Sequence, residues 1–325
     1  MKLRVAILYG GRSGEHDISV RSAKAIMERL DPAKYEQIRY FIDQDGKWSP
    51  RPILPEPGAQ PDVDVVFPVL HGTFGEDGTI QGLLELADLP YVGAGVLASS
   101  LSMDKEMMKR VCLERALPVV DYVILTREKL ELTGIRNRLP FPMFVKPANL
   151  GSSVGISKAH NCQELEAAVR LAAGYDRKII VERGIIGREF ECAVLGNQAP
   201  LAALPCEILP SREFYDYEDK YLLDQAETKV PAGLPAETTE QLRRLAVECY
   251  RAVECEGMAR VDFLLETATG ELFINEINTI PGFTSISMYP KMWEYSGIPF
   301  PALLDQLIEL ALERHRRKKA TKFTR

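Results

Sequence analysis

With 325 residues, 46% of them hydrophobic, and ordinary glycine and proline usage, the chain can bury a large core, divided over two or three domains, and is neither disordered nor fibrous. Its 40 basic and 46 acidic residues leave a formal charge of −6, which excludes a global attraction for nucleic acid or anionic membrane; a polyanionic substrate would need a local basic site. The apolar run Val5 to Leu8 is too short for a secretory segment, no later stretch could span a bilayer, and the six cysteines lack a C-x-x-C pair or a companion histidine, so a cytoplasmic chain with reduced, structural thiols is expected.

In chain order, apolar runs and helical patterns alternate: strand over 3–9, helix over 18–30, strand over 63–70, helix over 79–87. This spacing predicts an α/β unit with a parallel sheet over residues 1–101. Its glycine-rich loops, Gly10 to Glu15 and His71 to Gly78, follow predicted strands, where open α/β sheets bind ligands. A second unit opens near Ser102, with Met103-Asp104-Lys105 starting a helix, strands over 119–125 and 142–146, a small polar loop over 147–155, and a helix over 162–173. A third carries a strand over 190–195, a charged aromatic stretch over 212–231, a helix over 235–254, and strands over 258–266 and 272–277 joined by the turn Thr267-Ala268-Thr269-Gly270. A last helix runs over 300–316, and the basic tail Arg314 to Lys319 is expected to be a solvated, frayed end.

Strand periodicity gives the hairpin its chemistry. Arg260 and Asp262 share one face, as do Glu276 and Asn278, and a symmetric hairpin sets Asp262 opposite Glu276 and Arg260 opposite Asn278. Facing carboxylates repel unless a proton or cation lies between them, and an all-oxygen set suits Mg²⁺ shared with phosphate oxygens. These four residues alone leave open a solvent-facing charged edge. The stretch Asn278 to Ser287 offers a tight turn, free backbone N–H groups and hydroxyls, the parts of a carboxylate site and equally those of an ordinary loop.

There is no G-x-x-x-x-G-K-[ST], so phosphates need other donors; Lys105 and Lys146 are the candidates, each weak singly. Gly93 to Ala98 matches a dinucleotide fingerprint without the acid that should follow. Gly151-Ser152-Ser153-Val154-Gly155 fits a hydrolase nucleophile elbow, but the later histidines are His160, too close along the chain, and His315, in the basic tail.

Taken together, Gly10 to Ser19, His71-Gly72 with Gly75 to Gly78, Met103-Asp104-Lys105, Lys146-Pro147 with Gly151 to Gly155, and Asn275 to Thr279 with Pro281-Gly282 resemble, nearly end to end, the D-alanine–D-alanine ligase family of the ATP-grasp superfamily. The resemblance implies an N-terminal α/β substrate domain over 1–101, a central ATP-grasp subdomain over 102–184 and a C-terminal one over 185–325, with ATP between the sheets of the last two. It implies adenine near Glu182, Arg183 and Ile185, ribose near Glu189, phosphates near Lys105, Lys146 and Lys220 with Phe214 in the same nucleotide set, and two Mg²⁺ (or Mn²⁺) on Asp262, Glu276 and Asn278. Arg260 and the Gly282 N–H would stabilise a tetrahedral oxyanion. Phe214 to Tyr221 would close over the site, Tyr221 meeting Ser152 and Glu15. Glu15 would bind the first ammonium and Ser287 the second carboxylate, with His71 beside them. The family joins two D-alanines through a D-alanyl phosphate for peptidoglycan, in the bacterial cytoplasm, and suggests a homodimer. Related ligases take D-lactate or D-serine second; the retained Tyr221 and the apolar Met288 point to D-alanine. The rivals are an ATP-grasp ligase for another acid and amine, and a catalytically dead nucleotide-binding regulator.

Overall fold

The computed structural model describes residues 2–151, 154–209 and 227–322. The described residues form three sheets. The first has the order β3-β2-β1-β4, built from β1 (Leu3–Gly10), β2 (Tyr35–Ile42), β3 (Trp48–Ser49) and β4 (Val65–Pro68). β1 runs parallel to both β2 and β4, as the α/β pattern predicts, and β3 is an antiparallel edge. β2 has no counterpart in the predicted strands because Glu36, Gln37 and Arg39 interrupt its apolar residues. Helix α1 (His16–Arg29) packs on this sheet, and α2 (Thr79–Leu86) and α3 (Val96–Met103) follow β4.

The second sheet, β5-β8-β6-β7, is antiparallel and comprises β5 (Tyr122–Thr126), β6 (Met143–Pro147), β7 (Ser157–Ala159) and β8 (Lys178–Arg183). Between β5 and β6 lies the short α5 (Ile135–Arg138); α6 (Cys162–Tyr175) buries Leu165, Ala168, Val169 and Ala172 against the sheet. Residues 184–186 then lead into the third sheet. Its main path is β12-β11-β9-β13-β14, with β9 (Gly187–Gly196), β10 (Leu201–Ala202) paired to β9, β11 (Cys206–Leu209), β12 (Glu227–Lys229), β13 (Gly257–Glu266) and β14 (Leu272–Asn278).

Two helix layers tie the sheets together. Leu242, Leu245, Ala246 and Cys249 of α7 (Ala236–Ala252) share a core with Val261, Phe263 and Ile274, and with Met108 and Cys112 of α4 (Lys105–Glu114). On the other side, α8 (Met288–Tyr295) and α9 (Phe300–Lys319) insert Tyr289, Trp293, Leu303 and Leu307 between the third sheet and the Val5, Ile7 and Phe67 face of the first. All six cysteines are free.

The basic tail departs from expectation. It is helical through Lys319 and docked on the first hundred residues and the β13 approach. Arg314 stacks its guanidinium 4.2 Å over the Tyr91 ring and donates to the carbonyls of Tyr91, at 2.9 Å, and Gly93. Arg317 pairs with Glu256, Lys318 with Glu85, and Lys319 and His315 with Asp88. Gly93, part of the dinucleotide-like run, instead serves packing: a Cβ on Gly257 would lie 3.1 Å from its carbonyl oxygen. Among the described residues no helix is long and apolar enough to cross a membrane.

Candidate active site

Adjacent parallel strands bring two distant loops together. β1 and β4 pair from Val5↔Val65 to Leu8↔Pro68, so the segments leaving their C-terminal ends meet, and Ser13 Oγ donates to the His71 carbonyl at 2.8 Å. Glu15 is the N-cap residue of α1, and its carboxylate lies against two glycines: a Cβ would stand 2.6 Å from its Oε2 at Gly72 and 3.2 Å at Gly151. His71 is buried with Nδ1 3.0 Å from the Ile280 carbonyl, which fixes the proton on Nδ1. Burial holds its pKa below the usual histidine value, against the pull of Glu15, so the ring is neutral. Its Nε2, a lone-pair acceptor, is buried without a hydrogen bond among the described residues.

Glu76, quoted in the sequence motif without a role, lies close enough to Glu15 to feel its charge. It accepts the Gly72 N–H at 2.6 Å, and burial, reinforced by the charge of Glu15, pushes its pKa up to about 8. A neutral carboxyl there adds no second negative charge beside Glu15.

The hairpin register is the expected one: Asp262↔Glu276 and Arg260↔Asn278. A β-bulge follows, because Phe263 pairs with Ile274 and leaves Asn275 unopposed. Leu272, Ile274 and Ile277 point to the core, so the extra residue sets Asn275 and Glu276 in succession outside it. β9 completes the row, with Glu191 opposite Asp262. Three carboxylates thus lie in register across three strands, and Glu191 was invisible to local pattern reading. Arg260 compensates two of them: it grips Asp262 with two hydrogen bonds of 2.7 Å and stands 3.3 Å from Glu191. Lys105 lies 3.4 Å from Glu276.

These donors fit a hard divalent cation, being oxygen-only and mutually repulsive. Among the described residues no three His, Cys, Asp or Glu side chains form a group that could hold a metal ion.

The turn after β14 is tight. Asn278 Oδ1 accepts the Ile280 N–H at 3.0 Å, Ser287 Oγ accepts the Thr284 N–H at 2.9 Å, and a Cβ on Gly282 would lie 2.8 Å from that Oγ. Glu15, Lys105, Arg260, Glu276, Asn278, Gly282 and Ser287 line one cavity of about 330 Å³, together with Glu76, Glu191 and Met288.

The lysines lie beside it. Asp104 caps α4, accepting the N–H groups of Glu106 and Met107, and pairs with Lys178 at 2.7 Å. Lys105, next on the helix, donates to the Leu150 carbonyl at 2.8 Å. Lys146, at the end of β6, is 2.6 Å from Glu182 and donates to Asn275 at 3.2 Å, spanning the second and third sheets. Glu182 also meets Lys109 at 2.9 Å; against burial, Lys109 first and then Lys146 hold its pKa down to about 2. Lys109 was missed in the sequence, although its position four residues after Lys105 and three before Cys112 marks the buried face. Arg183 pairs with Glu266 and stacks 5.3 Å from the Phe273 ring; Ile185 lies in the link between sheets, and Glu189 is on β9 opposite Leu264. Ser152, Phe214, Lys220 and Tyr221 lie outside the described residues.

Two antiparallel sheets joined by a short link, with a lysine of one reaching carboxylate-bearing strands of the other beside an α/β domain, define the ATP-grasp class of ligases. The family model described as "D-ala D-ala ligase C-terminus" matches residues 111–309, and that described as "D-ala D-ala ligase N-terminus" matches 4–58 and 54–94. The D-alanine–D-alanine ligase of Solibacter usitatus is 77% identical over the whole of both chains. Among solved structures, the D-alanine–D-alanine ligase of Coxiella burnetii superposes with a TM-score of 0.88 at 42% identity, covering 98% of this chain and 96% of that one. The VanG D-Ala:D-Ser ligase of Enterococcus faecalis gives 0.87 at 36%, covering 96% and 100%. The chain belongs to the D-alanine–D-alanine ligase family.

Proposed function

We propose that this chain joins two molecules of D-alanine at the expense of ATP, giving D-alanyl-D-alanine for peptidoglycan, ADP and phosphate. The observation that carries the reading is the single cavity in which an ammonium-binding carboxylate, Glu15, faces Arg260, the Gly282 turn and Ser287, with the hairpin carboxylates and Lys105 at its side. One oxygen of the first carboxylate attacks the γ-phosphorus and ADP leaves, forming an acyl phosphate. The second amine then attacks that carbonyl carbon, loses a proton, and phosphate departs.

Glu15 holds the first ammonium, with neutral His71 beside it as a hydrogen-bond acceptor. Lys105, Lys146 and Lys220 spread the phosphate charge, while Glu182, Arg183, Ile185 and Glu189 with Phe214 hold the nucleoside. Two Mg²⁺ on Asp262, Glu276 and Asn278 would supply charge neutralisation at the transferring phosphoryl group. Arg260 and the Gly282 N–H face the oxyanion that develops on the carbonyl oxygen, and Ser287 binds the second carboxylate. Ser152 and Tyr221 complete the closure that keeps water from the acyl phosphate. Met288 lines the cavity beside Ser287 with a thioether against Cys206, offering no donor or strong acceptor to a hydroxyl, which supports D-alanine over D-serine in the second site. The same reading takes 1–101, 102–184 and 185–325 as domains and the active form as a cytoplasmic homodimer.

Phosphate release from ATP and Mg²⁺ with D-alanine, L-alanine or no amino acid tests it, with mass analysis of the product. The reading expects phosphate and dipeptide with D-alanine alone; release that is equal without amino acid, or that requires another acid and amine, contradicts it.

A further inference from the structure

Lys109 sits one turn beyond Lys105 on α4 with its side chain fully buried. Its ammonium is 2.9 Å from Glu182 Oε1, while Lys146 takes Oε2 at 2.6 Å. One buried carboxylate is therefore shared by two ammonium groups of different standing. Lys146 reaches the junction of the second and third sheets and touches Asn275. Lys109 is walled in by the core that includes Met108, Cys112 and Cys249, and reaches neither solvent nor the cavity.

Burying a lysine is costly, and an apolar residue would fill that helix face as well, so its charge needs a reason. The charge count at Glu182 supplies one. With both lysines in place the trio carries one net positive charge, available to an incoming polyanion. When Lys146 turns toward a phosphate oxygen, Glu182 stays paired through Lys109. Without Lys109, the same turn would strand a buried carboxylate, and Glu182 would pull Lys146 back.

We propose that Lys109 is a positioning residue for the nucleotide: by holding the far oxygen of Glu182, it frees Lys146 to move from that carboxylate to the phosphates. The proposal rests on the reading of Lys146 and Glu182 as nucleotide contacts. It predicts that the effect of Lys109 depends on the phosphates and disappears when Glu182 carries no charge.

Calorimetric titration of the full chain with adenosine, ADP and ATP separates these cases, using Lys109→Met, Glu182→Gln, the double variant and Lys146→Met. Lys109→Met should weaken ADP and ATP by about tenfold or more while adenosine stays within about twofold. In turnover, KM for ATP should rise by more than kcat falls. In the Glu182→Gln background the Lys109 substitution should leave ATP affinity unchanged; this comparison carries the test if Lys109→Met does not fold. ADP and ATP affinities of Lys109→Met within about twofold of wild type, or adenosine weakened by the same factor as ATP, would reduce Lys109 to a packing role. ATP affinity untouched by Lys146→Met would remove the underlying assignment, and the proposal with it.

Discussion

Replacing Gly72 by alanine should disable first-substrate binding while sparing the nucleotide. Gly72 has φ +71°, a left-handed conformation that costs an alanine roughly 1–2 kcal/mol. The added Cβ would stand 2.6 Å from Glu15 Oε2, where ordinary contact begins at 3.4 Å, so the carboxylate must retreat by 0.8 Å. A displacement near 1 Å in a positioning group costs roughly 100-fold in rate. ADP release at saturating ATP and varied D-alanine should therefore show kcat/KM for D-alanine falling by about two orders of magnitude, with ATP affinity unchanged and a melting loss matching the backbone strain alone. A kcat/KM within about threefold of wild type would refute the placement of Glu15 on the first ammonium.

Glu276→Gln removes a charge from the hairpin row without emptying space, and phosphate release should drop by about 100-fold or more while the thermal melt stays near wild type; near-normal turnover would sink the metal assignment. Arg314→Met deletes two charged hydrogen bonds to backbone carbonyls and the stack on Tyr91, and chemical denaturation should record a loss of about 2–4 kcal/mol with activity intact at low temperature. Glu76 has its folded pKa raised to about 8 from 4.5, so its contribution is fully present below pH 4.5 and is lost as pH rises toward 8, by about 5 kcal/mol at most. Denaturant melts at pH 5 and pH 8 should show a smaller decline in Glu76→Gln than in wild type, and equal declines would contradict a neutral Glu76.

Much of the architecture is local and was legible. The alternation around β1 and β4 predicts their parallel pairing, and side-chain parity on β13 and β14 predicts which residue faces which. The bulge was not legible, because an inserted residue exists only relative to a partner strand, and Asn275, though part of the quoted motif, therefore carried no role beside Glu276. Glu191 and Lys109 escaped for the same reason: each is defined by a neighbour far along the chain, Asp262 for one and Glu182 for the other. The basic tail misled, since six polar residues in a row suggest solvation while their acids and carbonyls lie on remote segments. In the site itself, Glu15, Arg260, Glu276, Asn278, Gly282 and Ser287 do share one cavity, whereas Lys146 and Glu182 stand apart from it in a second charged cluster.

On the proposed route ATP activates a D-alanine carboxylate by phosphorylating it, and oxygen labelling follows that step atom by atom. D-alanine carrying ¹⁸O in its carboxylate, turned over with unlabelled ATP in unlabelled water, should deliver one ¹⁸O to each phosphate released, because the carboxylate oxygen that attacks phosphorus leaves with it. Dipeptide accompanied by unlabelled phosphate would mean that the carboxylate never met the γ-phosphorus, and the account of this site would be wrong.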